Sequence, residues 1–438
     1  MKITVLGTGY LGATHAACLA SLGHDVLGVD IDPVRVDSLN DGRSPVLEPG
    51  LDDLLTAGLK AGRLHFTTSV AEAAVHARVH FLCVGTPQSA DGWEMDLSAV
   101  DGVVDELVAH CDDGDHLIVG KSTVPAGTAQ GLQDRTPEQV TVCWNPEFLR
   151  EGHGIADTLH PDRIVLGVPE SAADAEATVR EIYADLGDIP FLVTDPTTAE
   201  LVKVSANAFL ATKISFINAV ADLCDATGGD VSVLSTALGL DPRIGPGALT
   251  AGLGFGGGCL PKDLRGLAAR AEQVDATYAA DLFRAVDAEN MHRRDRLVNQ
   301  VVDVCGGSVS GRRITVLGAS FKPGSDDIRE SPATDVIGQL EDAGALVTVC
   351  DPAVPGYGRD VSGALRGAEV TVIATDWPEF RDLDPATAYD LVSVPTVVDG
   401  RNCLPVDRWT GAGWDYRGTG CGAQSSGWNP ASTARTAN

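Results

Sequence analysis

Cys259 closes an almost pure glycine run, Phe255-Gly256-Gly257-Gly258-Cys259, and is followed at once by Leu260-Pro261-Lys262-Asp263. A thiol placed this way can work as a nucleophile. Glycines remove side-chain bulk and let backbone N–H groups approach whatever the sulfur touches, while a nearby ammonium or helix N-terminus favours the thiolate that does the chemistry. The competing reading is a small buried hydrophobe in a tight loop, and the motif alone admits both. A second polar set sits on a helical pattern that starts near Thr197, where Lys203 and Asn207 fall one turn apart. Lys203 is one of only seven lysines, and its apolar neighbours argue against the bland alternative of a wholly solvated face. A third set follows two strand-like runs: Lys121-Ser122-Thr123-Val124-Pro125, and Trp144-Asn145-Pro146-Glu147-Phe148-Leu149-Arg150-Glu151. If the latter segment is helical, Glu147 and Glu151 share one of its faces.

Such groups need a scaffold, and the chain opens with one. A β-branched run, Ile3 to Leu6, meets Gly7-Thr8-Gly9-Tyr10-Leu11-Gly12, then a small-residue helix over 13–22, then a strand from Asp25 to Val29 that ends at Asp30. In a dinucleotide fold the first glycine permits the turn, the second lets a pyrophosphate reach backbone, and the third lets helix pack on strand. Asp30, 18 residues beyond Gly12, stands where a carboxylate accepts from the adenosine ribose hydroxyls, and an acid there favours NAD over NADP. Further strands over 79–84 and 117–120 end at Gly85-Thr86-Pro87 and at the Thr123 loop, so both loops are expected to border the cofactor. A helix cap or hydroxyl turn is the plainer reading of Thr123.

The middle of the chain reads as helical to about Val304, interrupted by the glycine-rich stretch from Arg243 to Asp263. After Gly306, Gly307 and Gly311 a second α/β unit begins. It has strands over 313–317, 346–351, 369–374 and 396–399, and a degraded glycine turn, Gly318-Ala319-Ser320-Phe321-Lys322-Pro323-Gly324, whose crevice could hold another phosphate ligand through Lys322. The expected fold class is therefore α/β: two Rossmann-like parallel-sheet domains joined by a helical central domain with a long connecting helix. The expected boundaries are 1–196, 197–304 and 311–417, with a disordered small and polar tail over 418–438.

Composition sets outer limits. The 438 residues exceed a single ordinary core. A net charge of −29, from 61 acidic against 32 basic residues, argues against nonspecific attraction to nucleic acid or an anionic membrane. Ten scattered cysteines show no C-x-x-C pair and no Cys/His spacing for a metal, so no metal is expected and the thiols read as reduced. The N-terminus enters a strand directly, and no uninterrupted apolar stretch of membrane-spanning length is seen; the expectation is a soluble cytoplasmic protein.

These blocks, in this order, resemble the UDP-glucose/GDP-mannose dehydrogenase family. The resemblance runs from Met1 to about Tyr416 and rests on Gly7 to Gly12, Asp30-Ile31-Asp32, Pro45-Val46-Leu47-Glu48-Pro49-Gly50-Leu51, Lys121 to Pro125, Asn145 to Gly152, Lys203 to Asn218, Phe255 to Asp263, Phe321-Lys322-Pro323, Asp327 to Pro332 and Asp399-Gly400-Arg401-Asn402. It implies an NAD-dependent enzyme that oxidises a sugar primary alcohol twice, to a carboxylate. By resemblance, Lys203, Asn207 and Asp263 hold a water that accepts a proton, Cys259 captures the aldehyde, and Glu147 activates the hydrolytic water with help from Thr123. Gly7, Gly9, Tyr10, Leu11, Gly12, Asp30, Arg35, Val84, Thr86, Thr123, Glu151, Lys262 and Arg329 would surround NAD. The sugar would lie on Phe148, Leu149, Arg150, Glu151, Phe255, Gly256 and Gly257 beside Lys203 and Asn207, with Lys322 and Arg401 toward the nucleotide. Arg243 would reach in from a neighbouring subunit, which implies a homodimer.

UDP-glucose is the preferred nucleotide sugar, because Arg150-Glu151-Gly152 followed by His160-Pro161-Asp162-Arg163-Ile164-Val165 resembles that branch. GDP-mannose and UDP-N-acetylhexosamines are the alternatives, and a noncatalytic NAD-binding protein is a further one. Two positions depart from the family pattern: Gly258, commonly serine, and Gly85, often asparagine or serine. Gly258 is expected to loosen the turn that presents Cys259.

Overall fold

Ile3, Val5 and Leu6 are fully buried in the first strand, which is why the chain opens on a β-branched run. The computed structural model describes residues 1–90, 92–170 and 172–421. Its described residues divide into two units by internal contact: Met1–Asn207 with Arg265–Ala280, and Ala208–Leu264 with the chain from Asp281 onward.

The first unit is a sheet of β1 (Lys2–Leu6), β2 (Asp25–Val29), β3 (Leu64–Thr67), β4 (Val79–Leu82), β5 (His116–Gly120), β6 (Val140–Trp144), β7 (Ile164–Gly167) and β8 (Phe191–Thr194). The strands lie in the order β3-β2-β1-β4-β5-β6-β7-β8, parallel throughout except where β7 meets β6 through Trp144 and Gly167. A parallel sheet must be covered on both faces. One face is closed by Ala13, Ala16, Leu19, Leu51 and Leu55, and the other by Val100, Val104, Leu107 and Leu132. Strand order reverses between β1 and β4, so the loops after those strands flank the crevice where such sheets take ligands.

The second unit holds β9 (Arg313–Leu317), β10 (Leu346–Cys350), β11 (Val370–Ile373), β12 (Thr396–Asp399) and β13 (Asp415–Arg417), all parallel in the order β10-β9-β11-β12-β13. Its cores lie around Val316, Val336, Leu340 and Val372 on one side and Phe380, Trp409 and Trp414 on the other. Asp351, after β10, is fully buried and accepts from the amides of Ala319 and Ser320 at 2.8 and 3.0 Å. This acid therefore secures its own glycine turn.

Residues 145–150 form no helix, so Glu147 and Glu151 do not share a helical face. Within the stretch expected as a tail, Thr419 is buried and its amide donates to the Asn402 side chain at 2.8 Å, while residues 422–438 lie outside the described residues. The helix Pro196–Thr227 is, by length and composition, apolar enough to cross a membrane, but Lys203, Asn207, Lys213 and Asn218 interrupt its apolar run. The buried polar side chains of Glu200, Lys203, Asn207 and Asn218 along it are the pattern of a core helix. The sequence pattern also passes over β3, β7, β8 and β13, which are only three or four residues long.

Candidate active site

The dinucleotide turn is assembled by sterics. Gly7 has φ of 87°, and a Cβ there would lie 2.8 Å from the backbone of Val84; a Cβ on Gly12 would lie 1.7 Å from the Gly7 carbonyl oxygen. Gly9 differs, since a Cβ there would meet nothing within 4 Å. Gly9 is the N-cap of the Tyr10–Ser21 helix, makes no side-chain cap, and the first turn carries no acid. The helix amides and its positive end thus suit an anionic pyrophosphate.

Asp30 ends β2 and is buried. It accepts from Thr8 N at 2.8 Å and Asp32 N at 3.1 Å, and pairs with the Arg35 guanidinium at 2.9 Å. Burial pushes this carboxyl up, but those amides and Arg35 outweigh it and hold it below the usual range. A carboxylate still has lone pairs for ribose hydroxyls. Across the crevice, Thr86 Oγ1 donates to the Thr123 carbonyl at 2.6 Å and Ser122 Oγ to the Val84 carbonyl at 2.7 Å, fixing both loops to one another. These residues fit NAD. The Tyr10 hydroxyl is turned elsewhere, donating to Glu48 and receiving from Gly152 N at 3.1 Å; burial and Glu48 push its ionisation up. Only the Tyr10 backbone is left for the cofactor. Leu11 packs into the core.

Glu147 and Lys203 meet. Lys203 Nζ lies 2.8 Å from Glu147 Oε1, with side-chain exposures of only 6% and 12%, so the pair is largely out of water. Glu147 also receives the Leu149 amide, which curls the chain and turns Phe148 so that its ring lies 5.8 Å from Lys203 Nζ and 3.9 Å from the Arg163 guanidinium. Arg150 is exposed and forks onto Asp157. Asn207 is buried one turn beyond Lys203. Glu151 is half-buried after Arg150.

Sequence reasoning missed what supports these loops. Lys121, buried after β5, donates to Asn145 Oδ1 at 2.9 Å, and Asn145 Nδ2 donates to the Val165 carbonyl at 2.7 Å. This joins the base of the Thr123 loop to the base of the Glu147 loop. Burial lowers Lys121 to about 8. Glu200 is buried and accepts the amides of Gly127 and Ala129, each at 2.6 Å; burial raises it to about 7. Both occur in motifs visible in sequence, but their burial does not.

In the second unit Cys259 is exposed, whereas the other nine cysteines are buried or half-buried. Burial pushes Cys18, Cys83 and Cys143 up to about 12, so they are inert thiols. Cys259 caps the Leu260–Gln273 helix, its carbonyl receiving Asp263 N at 2.9 Å, so the sulfur stands at a helix N-terminus that favours thiolate. Asp263, 1% exposed, takes Lys262 Nζ at 2.7 Å.

Gly256 and Gly257, before Cys259, are required by close packing on protein. A Cβ on Gly256 would lie 2.3 Å from the Glu330 carbonyl oxygen, and one on Gly257, whose φ is 84°, would lie 2.8 Å from the Phe321 ring. Gly257 N donates to the Arg329 carbonyl at 3.0 Å. A Cβ on Gly258 would lie 2.6 Å from the Arg329 guanidinium carbon, so a side chain there would displace Arg329. Arg329 forks onto Asp327, and Lys322 lies 5.5 Å from the Phe321 ring centroid. Phe255 is clamped through its backbone by the buried Asn290 at 2.8 and 3.0 Å. Arg401 bonds the carbonyls of Ala374 at 2.7 Å and Gly254 at 2.8 Å, a tie between sheet and glycine run. Arg243, 87% exposed, forks onto Asp241.

Comparison with known proteins gives these geometries a family. Residues 1–187 match the UDP-glucose/GDP-mannose dehydrogenase family NAD binding domain, residues 197–292 its central domain, and residues 315–406 its UDP binding domain. The chain is 40% identical over 437 residues to the UDP-glucose 6-dehydrogenase of Rhizobium meliloti, covering 96% of this chain and 99% of that one. A UDP-glucose dehydrogenase structure from Pyrobaculum islandicum aligns with a TM-score of 0.87 at 37% identity, covering 96% of this chain and 98% of that one. A UDP-D-ManNAc dehydrogenase structure from Pyrococcus horikoshii aligns with the same TM-score, 0.87, at 28% identity, covering 97% of this chain and 100% of that one.

Proposed function

The chain belongs to the UDP-glucose/GDP-mannose dehydrogenase family, and on that premise we propose that it oxidises UDP-glucose to UDP-glucuronate through intermediates bound to Cys259. The observation that carries the covalent reading is the exposed thiol at a helix N-terminus, set against nine sequestered ones. UDP-glucose is chosen because the full-length relative of highest quoted identity acts on it by name.

NAD, when bound, supplies the acceptor for two hydrides. In the first oxidation the sugar hydroxyl loses its proton to a water held by Lys203, Asn207 and Asp263, and the Lys203 ammonium stabilises the developing oxyanion. The Cys259 thiolate then adds to the aldehyde carbon, forming a C–S bond and placing negative charge on oxygen. Loss of the second hydride from that carbon leaves a thioester. Glu147 takes a proton from a water that attacks the thioester carbon, the C–S bond breaks, and the thiolate is restored. Thr123 positions this water. The ion pair with Lys203 holds the Glu147 carboxylate in place for the task.

A homodimer is part of the same proposal. Phe209, Phe216 and Leu223 are 65%, 53% and 63% exposed on one helix, a large apolar face for a second copy, and Arg243, paired with Asp241, is 87% exposed on its loop. Ten cysteines with no disulfide among them support a reducing, cytoplasmic location. The test is NADH yield per nucleotide sugar with purified protein. Two NADH per UDP-glucose are expected, and Cys259→Ser should retain cofactor and sugar binding yet yield no complete oxidation. NADH from GDP-mannose or a UDP-N-acetylhexosamine but not UDP-glucose overturns the substrate; unchanged carboxylate production by Cys259→Ser overturns the covalent role.

A further inference from the structure

The dehydrogenase chemistry leaves unused a group of side chains toward the N-terminal edge of the first unit's sheet. His80, on β4, and His116, at the start of β5, come side by side because the two strands pair in register, Val79 with Leu117 and His80 with Ile118. Nε2 of His80 lies 3.0 Å from Nδ1 of His116, with ring planes 12° apart. The outer nitrogen of each ring is also held: His80 Nδ1 lies 2.7 Å from Thr4 Oγ1, and His116 Nε2 lies 3.2 Å from Asp112 Oδ1. Cys111 follows the Ser98–His110 helix as its C-cap, and one ligand atom from each of His80, Cys111 and His116 falls within 4.8 Å of the others.

We propose that His80, His116 and Cys111 form a binding site for a borderline-soft divalent cation of the zinc type, with water in the fourth position. Tetrahedral zinc with nitrogens at about 2.0–2.1 Å sets neighbouring nitrogens about 3.3 Å apart, close to the separation of the facing histidine nitrogens. Ligating histidines usually donate their outer N–H to a carboxylate or another oxygen, which fixes tautomer and ring angle. Here Asp112 and Thr4 stand in those places. A pocket lined in part by Met1, Lys2, His76, Arg78 and Asp112 reaches His116, the outermost of the two histidines. Arg78 does not repel it strongly, because its guanidinium is paired with Asp112 at 2.8 Å.

The proton count is that of two neutral imidazoles and a neutral thiol. Without metal, one N–H of the pair points from one ring to the other. To bind, the His80 proton moves to Nδ1 and donates to Thr4, the His116 proton stays on Nε2 toward Asp112, and the Cys111 thiol gives its proton to solvent. One proton is therefore released per cation. The bound ion ties β4, β5 and the end of a covering helix, so its effect is on stability of this unit.

The test uses full-length protein stripped with EDTA and titrated with Co²⁺, then Zn²⁺. Expected are one equivalent bound per chain, a thiolate-to-cobalt charge-transfer absorption, release of one proton, and a raised thermal midpoint. His80→Gln should abolish tight uptake. Because His80 is fully buried, Cys111→Ser, at a half-buried position, is the deciding variant: it should fold and lose the thiolate band. Failure to retain either metal at micromolar concentration, uptake without the thiolate band, or uptake unchanged in Cys111→Ser overturns the proposal and leaves a metal-free relay from Thr4 to Asp112.

Discussion

Gly257→Ala puts the construction of the nucleophile loop under direct test. Gly257 has φ of 84°, where an alanine costs roughly 1–2 kcal/mol relative to glycine. Its new Cβ would stand 2.8 Å from the Phe321 ring, and overpacking of that kind costs about 1–3 kcal/mol. The two effects add to about 2–5 kcal/mol, because the backbone bond from Gly257 to the Arg329 carbonyl pins the loop and prevents simple retreat. Gly258→Ser is the matched control. The three atoms nearest its Cβ belong to the Arg329 guanidinium, the end of a flexible side chain that is 67% exposed, and φ there is not in the left-handed region. A swing of Arg329 relieves it, so the stability change should stay within about 0.5 kcal/mol. Urea unfolding of the two variants measures the first quantity, and NADH yield per sugar measures whether Cys259 is still presented. The expected result is a clearly lower urea midpoint and a loss of the second oxidation in Gly257→Ala, with Gly258→Ser close to the parent in both. Gly257→Ala matching the parent, or Gly258→Ser proving the more damaging, refutes the steric account.

Further outcomes follow from single residues. Asp30→Ala releases Arg35 from its ion pair at 2.9 Å and removes the ribose acceptor, so KM for NAD should rise and discrimination against NADP should fall; unchanged cofactor kinetics would show that Asp30 serves only the turn. Glu200, raised to about 7, stabilises the fold fully below its unfolded value near 4.5 and loses that contribution as pH rises through 7. The change is worth about 2–4 kcal/mol; Glu200→Gln should flatten urea stability between pH 4.5 and 7, and a parent profile already flat there contradicts the assignment. Lys121 has the opposite sign, since its folded value of about 8 lies below 10.5: the unfolded chain binds the extra proton between those values, so its contribution to stability rises with pH. The difference between the parent and Lys121→Met profiles isolates that rise, and a difference without slope from pH 8 to 10 refutes it.

Much of this protein was legible in its sequence because the information is local. Gly7, Gly9 and Gly12 at fixed spacing, followed by Asp30 at a strand end, specify a turn, a helix start and a ribose acceptor within one βαβ unit, and the structure builds those elements. The glycine run ending in Cys259 likewise announced a constrained loop. The reason for the constraint was not local. Glu330, Phe321 and Arg329, residues far along the chain, crowd the glycines, and only the folded second unit brings them there. Glu147, which would share a face with Glu151 only on a helix, lies on irregular chain, and its partner is Lys203, a residue on a distant helix. The Lys121–Asn145 tie, the amides on Glu200 and the facing pair His80 and His116 belong to the same class. Periodicity records which side of an element faces inward, but which polar side chains meet there depends on strand order and register, which are set by the packing of the whole sheet.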